Sequence, residues 1–265
     1  MKKNLIKIIG IIAIVAIIGL VINFASQKKE TKENTLIIGL DDSFPPMGFR
    51  DDNNEIVGFD IDLAKAVAEE LGMEVKFQPI SWAEKEQELD SGKIDCIWNG
   101  FAYTEDRNAN MTLSDVYIKS EMYFILKNGS KIKSQNGLKG KTIGVQTGSV
   151  QQEDLEKSDF GKGVEMVQYS DFLTAFMDLD MGRIDAVCCS SIIGNYLITS
   201  QKKDYITIEA EGISTSSGSV IAFKKGNTEL RDKIQNALYK LKEEGKLDEI
   251  SIKWFGKNMI YLKEE

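Results

Sequence analysis

The chain is 265 residues long, 42% apolar and 28% charged, so it can form one large domain or two lobes around a sizeable core. Its net charge is −8, and such an acidic body disfavours nonspecific binding to nucleic acid or anionic lipid. The absence of histidine excludes Ser-His and Cys-His nucleophiles, His-ligated metal sites and imidazole acid–base chemistry. No cofactor or metal is predicted.

The first predicted element is a membrane anchor. Residues 8–25 carry no charge and exceed the usual length of a signal-peptide apolar region, while matching that of a membrane-spanning helix. The best cleavage candidate has Asn23 where a small residue is required. We predict an uncleaved signal anchor over residues 1–27 and a polar tether over 28–35. A cleaved export signal is the alternative.

Strand and helix patterns alternate after the tether, which predicts an α/β fold with largely parallel sheets. Apolar runs bounded by turn residues indicate strands, and one-sided apolar periodicity between a cap and a glycine indicates helices. The predicted strands cover 36–40, 74–77, 94–98, 142–145 and 164–168. One predicted helix begins at Asp60 and ends near Gly72, and a second begins at Ser81, in a capping box with Glu84, and ends near Gly92. A third begins at Ser170 and ends near Gly182, and a last one covers 229–244.

Two sequence patterns occur twice. Residues 38–41 and 143–146 are apolar runs ending in a polar residue, and residues 89–95 and 179–185 both run from Leu-Asp through glycine and a basic residue to Ile-Asp. This repetition predicts two similar βαβ lobes, although convergence on common turn chemistry would give the same pattern. Ligands of open α/β sheets bind beyond the carboxyl ends of strands, so the residues after these strands should face one cleft.

The three cysteines are an odd number without a CxxC pair. Neither a disulfide framework nor a zinc site is therefore indicated. Cys96, Cys188 and Cys189 are predicted to be small hydrophobic residues of the core.

Five motifs taken together carry a family resemblance. They are IGLDDSFPPMGF, VGFDIDLAKAVAEELG, GKIDCIWNGFAYTEDR, LKGKTIGVQTGS and the segment from LRDKIQ to KWFG. In this order and spacing they resemble the bacterial extracellular solute-binding proteins of family 3, the receptors of polar amino acid ABC transporters. The resemblance implies a two-lobed periplasmic-binding-protein-like fold of type II, with two hinge strands near 117–121 and 215–219. The implied boundaries are 36–118 and 218–265 for lobe 1 and 119–217 for lobe 2.

The resemblance also implies site residues in lobe 1. Arg107 would bind a ligand carboxylate through its planar guanidinium; the alternative is a surface arginine on a helix capped by Thr104. Phe44 and Trp82 match positions whose rings hold the ligand side chain between them, with ordinary lobe core as the alternative. Asp41 would contact the polar end of the ligand, or form a turn. The α-groups of the ligand would meet the loop that contains Asn99, Gly100 and Ala102.

The implied site residues of lobe 2 carry no charge. Gln146, Ser149 and Val150 lie at a strand end and the following helix start, where free N–H groups suit an anion; a plain turn is the alternative. Ser190 stands where the family pattern has an acidic partner for the ligand's α-ammonium group. Asp41 is then the one acid of the predicted cleft, so we expect ordinary α-amino acids to bind weakly or in an altered pose.

These observations favour a membrane-tethered receptor that closes its lobes on a polar amino acid or similar solute and delivers it to an ABC permease and its ATPase. Its binding lobes would lie on the extracytoplasmic side of the cell membrane. A sensor domain and a dehydratase-like enzyme on the same scaffold are the alternatives. The first is disfavoured because the chain ends soon after Gly256, and the second because the predicted cleft lacks histidine and a carboxylate pair.

Overall fold

Two lobes make up the part of the protein that the computed structural model describes, residues 34–262. The predicted signal anchor over 1–27 and nearly all of the tether lie outside these residues. No helix within the described part is long and apolar enough to cross a membrane.

The strands and helices are numbered along this part of the chain. The strands are β1 (Thr35–Leu40), β2 (Ser43–Phe44), β3 (Gly48–Arg50), β4 (Ile56–Val57), β5 (Glu74–Pro79), β6 (Cys96–Ile97), β7 (Thr112–Leu113), β8 (Met122–Lys127), β9 (Thr142–Gln146), β10 (Glu165–Tyr169), β11 (Ala186–Ser190), β12 (Tyr205–Glu209) and β13 (Ala222–Phe223). The helices are α1 (Phe59–Glu70), α2 (Lys85–Asp90), α3 (Glu105–Asn110), α4 (Val150–Lys157), α5 (Phe172–Asp180), α6 (Ser191–Thr199), α7 (Thr228–Glu243) and α8 (Lys246–Phe255).

The two main sheets have the same arrangement of strands. The order is β5-β1-β6-β13-β7 in lobe 1 and β10-β9-β11-β8-β12 in lobe 2. The first three strands of each sheet are parallel, and the fourth pairs antiparallel with both of its neighbours. Four strands of each sheet therefore run in one direction, as predicted. The fourth strand is reversed because the chain enters it from the other lobe and not through a βαβ unit.

The repeated sequence patterns occupy equivalent places in the two sheets. Strand β1 lies between β5 and β6, as β9 lies between β10 and β11. The carboxylate of Asp95 accepts a hydrogen bond from the N–H of Ile37 at 2.7 Å, and that of Asp185 accepts one from Thr142 at 3.0 Å. The prediction of two similar lobes is confirmed, and the repeated aspartates fix the same strand in each.

The chain crosses between the sheets twice, once between β7 and β8 and once between β12 and β13. The two crossing segments contact each other, because the N–H of Ser219 donates to the carbonyl of Ile118 at 2.8 Å. Ile118 also forms a bridge with Ile260, so the C-terminal segment lies against the crossing. These contacts fall within the predicted hinge strands, and the lobe boundaries themselves stay predictions.

The sequence predicts that helix α1 begins at Asp60, and this prediction is wrong. Its N-cap is Gly58, and Asp60 lies fully buried in the first turn. The Asp60 carboxylate accepts hydrogen bonds from the N–H of Gly100 at 2.7 Å and from the hydroxyl of Tyr117 at 3.0 Å. Burial raises its pKa to about 7 against the opposing effect of these bonds. Asp60 therefore ties the helix to a loop and to a crossing segment.

Two other predicted helix starts are wrong. Ser81 makes no side-chain capping bond, and a 3-10 turn over Trp82–Glu84 precedes α2, so the capping box is not formed. Helix α5 is capped by Asp171, which accepts from the N–H of Thr174 at 2.7 Å. Ser170 instead donates its hydroxyl to Asp171. The neighbouring carboxylate is the stronger acceptor and takes the capping position.

The three cysteines are fully buried free thiols, as predicted for residues of the core. Burial raises the pKa of the Cys96 and Cys188 thiols well above the ordinary value. Because the thiolate is the reactive form, this environment disfavours cysteine chemistry.

Candidate ligand-binding cleft

A cavity lies between the two sheets, with about 600 Å³ of empty space that is partly open to solvent. All eleven predicted site residues line it: Asp41, Phe44, Trp82, Asn99, Gly100, Ala102, Arg107, Gln146, Ser149, Val150 and Ser190. The lining also includes nine residues that sequence reasoning missed: Ser120, Glu121, Met122, Gln151, Phe172, Ile192, Ser214, Ser216 and Ser219.

Arg107 is the one basic residue among those that line the cavity. Thr104 caps α3 by accepting a hydrogen bond from the Arg107 N–H at 3.2 Å, but the side chain is buried, with 5% exposure. Nη1 donates to the carbonyl of Ala102 at 3.0 Å, and Nη2 donates to Glu153 of lobe 2 at 3.0 Å. The buried Nε has no acceptor among residues 34–262. The surface-arginine alternative is wrong, and a buried donor needs a partner.

Asp41 and Gln146 come from equivalent positions in the two lobes and contact each other across the cleft. Nε2 of Gln146 donates to one Asp41 carboxylate oxygen at 2.6 Å, and the N–H of Ser43 donates to the other at 2.9 Å. Burial raises the pKa of Asp41 to about 6, although both hydrogen bonds oppose the shift. Asp41 thus forms the turn with one oxygen and reaches lobe 2 with the other.

The loop after β6 forms one wall of the cavity. With its amide oriented to satisfy both neighbours, Asn99 donates to the Asp41 carbonyl and accepts from the Gly48 N–H, each at 3.0 Å. Its side chain therefore supports the loop. Gly100 has a φ of 60°, and a Cβ there would lie 2.7 Å from the Phe44 ring. Glycine allows both the turn and the close approach of the ring.

Aromatic side chains from both lobes surround the cavity. The ring centroids of Phe44 and of Phe172 in lobe 2 are 5.7 Å apart, and those of Trp82 and Phe101 are 6.2 Å apart. Phe44 and Trp82 are buried in lobe 1 and still line the cavity. Core packing and contact with a ligand are therefore compatible at both positions. That the two rings hold a ligand side chain stays a prediction.

The start of α4 presents backbone donors to the cavity. Ser149 caps this helix by accepting from the N–H of Gln152 at 3.2 Å. The N–H groups of Val150 and Gln151 belong to the first turn, and no residue in the described part of the chain accepts a hydrogen bond from them. Both residues line the cavity. This end of lobe 2 therefore suits an anionic group.

Ser190 is engaged in the fold, and a carboxylate lies near it. Its Oγ accepts from the N–H of Ile192 at 3.2 Å and caps α6. Ser190 pairs with Met122 of the neighbouring strand β8. The residue before Met122 is Glu121, which lines the cavity. The expectation that Asp41 is the one acid of the cleft is wrong, because a crossing segment supplies a second.

The missed residues fall into two groups. Most lie on or beside the crossing segments, whose irregular backbone leaves no periodic pattern in the sequence: Ser120, Glu121, Met122, Ser214, Ser216 and Ser219. The others follow a helix cap, and extending the strand-end argument by one or two residues would have found them: Gln151, Phe172 and Ile192.

The cavity lining contains three ionisable residues, Asp41, Arg107 and Glu121, among hydroxyl, amide and aromatic groups. No group of three or more Cys, Asp or Glu side chains within residues 34–262 could hold a metal ion. A small solute that carries both charged and apolar parts fits this lining.

Two lobes of one topology, joined by two crossing segments around a polar cavity, define a two-lobed solute-binding protein. The chain belongs to the bacterial extracellular solute-binding proteins, family 3, whose family model matches residues 36–257.

The chain is similar to several proteins of known ligand. It is 30% identical over 255 residues to the L-cystine-binding protein TcyJ of Escherichia coli (strain K12), covering 94% of each chain. It is 30% identical over 228 residues to the arginine-binding extracellular protein ArtP of Bacillus subtilis (strain 168), covering 85% of this chain and 88% of ArtP. A crystal structure of an ABC uptake transporter substrate-binding protein from Streptococcus pneumoniae with bound histidine matches with a TM-score of 0.84 and 35% identity, covering 89% of this chain and 98% of that one. The predicted two-lobed fold is confirmed.

Proposed function

We propose that the protein is the receptor of an ABC importer for an amino acid, which it binds in the cleft and delivers to a permease and its ATPase. The observation that carries this proposal is the buried Arg107 guanidinium in the cavity lining, whose Nε has no acceptor in the described part of the chain. A guanidinium makes strong charge-assisted hydrogen bonds to carboxylates. Nε is the donor that remains open to a ligand carboxylate, because Nη1 and Nη2 already donate to Ala102 and Glu153. The binding of L-cystine, arginine and histidine by the related proteins supports an amino acid as the ligand.

In the proposed pose, the ligand carboxylate lies between the two lobes. Arg107 would bind it from lobe 1, and the N–H groups of Val150 and Gln151 would bind it from lobe 2. The ligand side chain would extend along Phe44 and Trp82. Both lobes are then needed for tight binding, since each supplies part of the same anion site.

Isothermal titration calorimetry with the twenty standard L-amino acids and L-cystine tests the proposal. We expect at least one of them to bind. Arg107→Lys keeps the charge but loses the planar fork, so it should weaken binding by about 1.5–3 kcal/mol, or roughly ten- to a hundred-fold. Arg183→Lys changes an exposed arginine of lobe 2 and is the matched control. The proposal fails if wild type binds none of these compounds, or if Arg107→Lys binds as wild type does.

We propose that the ligand closes the lobes about the crossing segments. The lobes already touch through Gln146 and Asp41, and the Lys85 ammonium donates to the carbonyl of Gly148 at 2.8 Å. A ligand that bridges the same walls would hold them together. Small-angle scattering should give a smaller radius of gyration with a bound amino acid than without it. An unchanged radius at saturation would contradict closure.

We propose that the bound amino acid leaves chemically unchanged. Of the two acids in the lining, Asp41 accepts hydrogen bonds from Gln146 and Ser43, and Glu121 accepts one from Ser191. Glu121 keeps one free oxygen, but with both Asp41 oxygens engaged the lining within the described residues holds no second free group to act as its acid–base partner. Mass spectrometry of an amino acid incubated with the protein should recover it intact, and conversion would favour the dehydratase-like alternative.

The signal anchor over residues 1–27 places the binding lobes on the extracytoplasmic side of the membrane in this proposal. The protein should then fractionate with membranes and keep its first residues. N-terminal sequencing that begins after Ala25 would instead identify a cleaved export signal.

A further inference from the structure

The charged side chains that line the cavity differ in how far their hydrogen-bonding atoms are already engaged within the protein. Of the three ionisable residues in its lining, Arg107 is assigned above to the ligand carboxylate. Asp41 already accepts from Gln146 on one carboxylate oxygen and from Ser43 on the other. Glu121 is therefore the acid whose charge is available to a ligand.

The position of Glu121 is fixed by Ser191. The Glu121 N–H donates to Ser191 Oγ at 3.1 Å, and the Ser191 N–H donates to the Glu121 carbonyl at 2.8 Å. The Ser191 hydroxyl donates to Oε2 of Glu121 at 2.9 Å, and Ser191 is itself buried. Oε1 receives no hydrogen bond from any residue in the range 34–262. One carboxylate oxygen is thus held in place while the other can accept from a ligand.

We infer that Glu121 binds the cationic nitrogen of the ligand. The inference rests on the proposed amino-acid ligand, whose carboxylate Arg107 would neutralise at the other end. Glu121 is itself exposed, so a cation beside it keeps part of its water. A carboxylate still makes a hydrogen bond to that cation about twice as strong as a neutral group does. The nitrogen has two sources, the α-ammonium group and a basic side chain.

Ser190 provides a place to which the charge can be moved. It pairs with Met122, the residue after Glu121, and lines the same cavity. Its Oγ caps α6, and aspartate caps a helix as well as serine does. Ser190→Asp can therefore return a carboxylate to this wall without loss of the cap.

Calorimetry on four proteins tests the inference: wild type, Glu121→Gln, the double variant Glu121→Gln/Ser190→Asp, and Glu209→Gln. The probes are the twenty standard L-amino acids and L-cystine, with the Nα-acetyl derivatives of those that bind. Glu121→Gln keeps the side-chain shape and an acceptor for the Ser191 hydroxyl. It should weaken binding roughly ten- to a hundred-fold. The double variant should regain part of this loss, and Glu209→Gln, an exposed lobe 2 control outside the cavity lining, should bind as wild type does.

The probes distinguish the two sources of the nitrogen. A similar loss for basic and neutral amino acids, without effect on the Nα-acetyl forms, assigns the α-ammonium group. A loss confined to arginine, lysine or histidine assigns the basic side chain. Binding to Glu121→Gln that equals wild type, or an equal loss in Glu209→Gln, overturns the inference and leaves the proposed function intact. If wild type binds no probe, the proposed function fails and the inference falls with it.

Discussion

The two lobes share a scaffold but bring different chemistry to the cleft. The equivalent strands β1 and β9 lead into Asp41 and Gln146, which meet at 2.6 Å. After β6, lobe 1 has Gly100 and a buried cation, Arg107, whereas β11 of lobe 2 ends in Ser190. Topology thus presents side chains at the same edge of both sheets, and the residue at each strand end is free to differ. The shared scaffold therefore positions the site, while the strand-end residues give each lobe its own chemistry in the cleft.

The largest expected difference between the lobes concerns a buried acid. Desolvation raises the pKa of Asp60 in lobe 1 from 3.8 to about 7, so the folded state binds a proton more tightly than the unfolded state. Its contribution to stability is full below about pH 4 and is lost as the pH rises through about 7, with a slope of up to about 1.4 kcal/mol per pH unit. Denaturant unfolding should show wild type losing stability relative to Asp60→Asn over this range.

Asp178 in lobe 2 is a control of opposite sign. Hydrogen bonds from Arg183 and Tyr169 lower its pKa, so its contribution to stability is lost as the pH falls. Asp178→Asn should therefore alter the acid end of the stability profile and leave the neutral region unchanged. Parallel profiles for wild type and Asp60→Asn between about pH 4 and 7 would contradict the burial effect.

Paired glycines test whether the two scaffolds pack alike. A Cβ on Gly39 would collide with the side chain of Ile94, and one on Gly144 would lie 2.7 Å from that of the equivalent Ile184. Gly39→Ala and Gly144→Ala should each lower the free energy of unfolding by about 1–3 kcal/mol, the usual cost of overpacking. Gly163→Ala, which has room for a Cβ, is the control. If alanine at one of the two paired positions left the free energy of unfolding unchanged, the two sheets would not pack alike at that position.

The smallest expected effect is at an exposed contact between the lobes. Lys157 of lobe 2 lies 3.1 Å from Asp106 of lobe 1, and both side chains are mostly exposed. Because exposed ion pairs contribute little, Lys157→Ala should leave amino-acid affinity within about threefold of wild type, and high salt should remove the difference. A larger, salt-resistant loss would mean that closure depends on the rim of the cleft as well as on Arg107.

The sequence predicts site residues best where they lie at the ends of strands and at the starts of helices. Strand ends and helix starts follow from apolar patterning and the family motifs, and these positions hold all eleven predicted residues that line the cavity. Glu121 was missed because the crossing segments have no period. The prediction that Asp60 caps helix α1 was wrong because the groups that its carboxylate binds, on Gly100 and Tyr117, are distant in sequence. A residue's surroundings in the folded chain decide whether a carboxylate caps a helix or is buried under a loop.

Equilibrium dialysis against a mixture of the twenty standard L-amino acids and L-cystine tests whether the protein binds an amino acid through Arg107. Mass spectrometry would compare the two chambers for wild type and for Arg107→Met, which removes the charge of Arg107. We expect wild type to concentrate at least one amino acid in the protein chamber, up to one molecule per chain, and Arg107→Met to concentrate none. No enrichment by wild type, or equal enrichment by Arg107→Met, would contradict it.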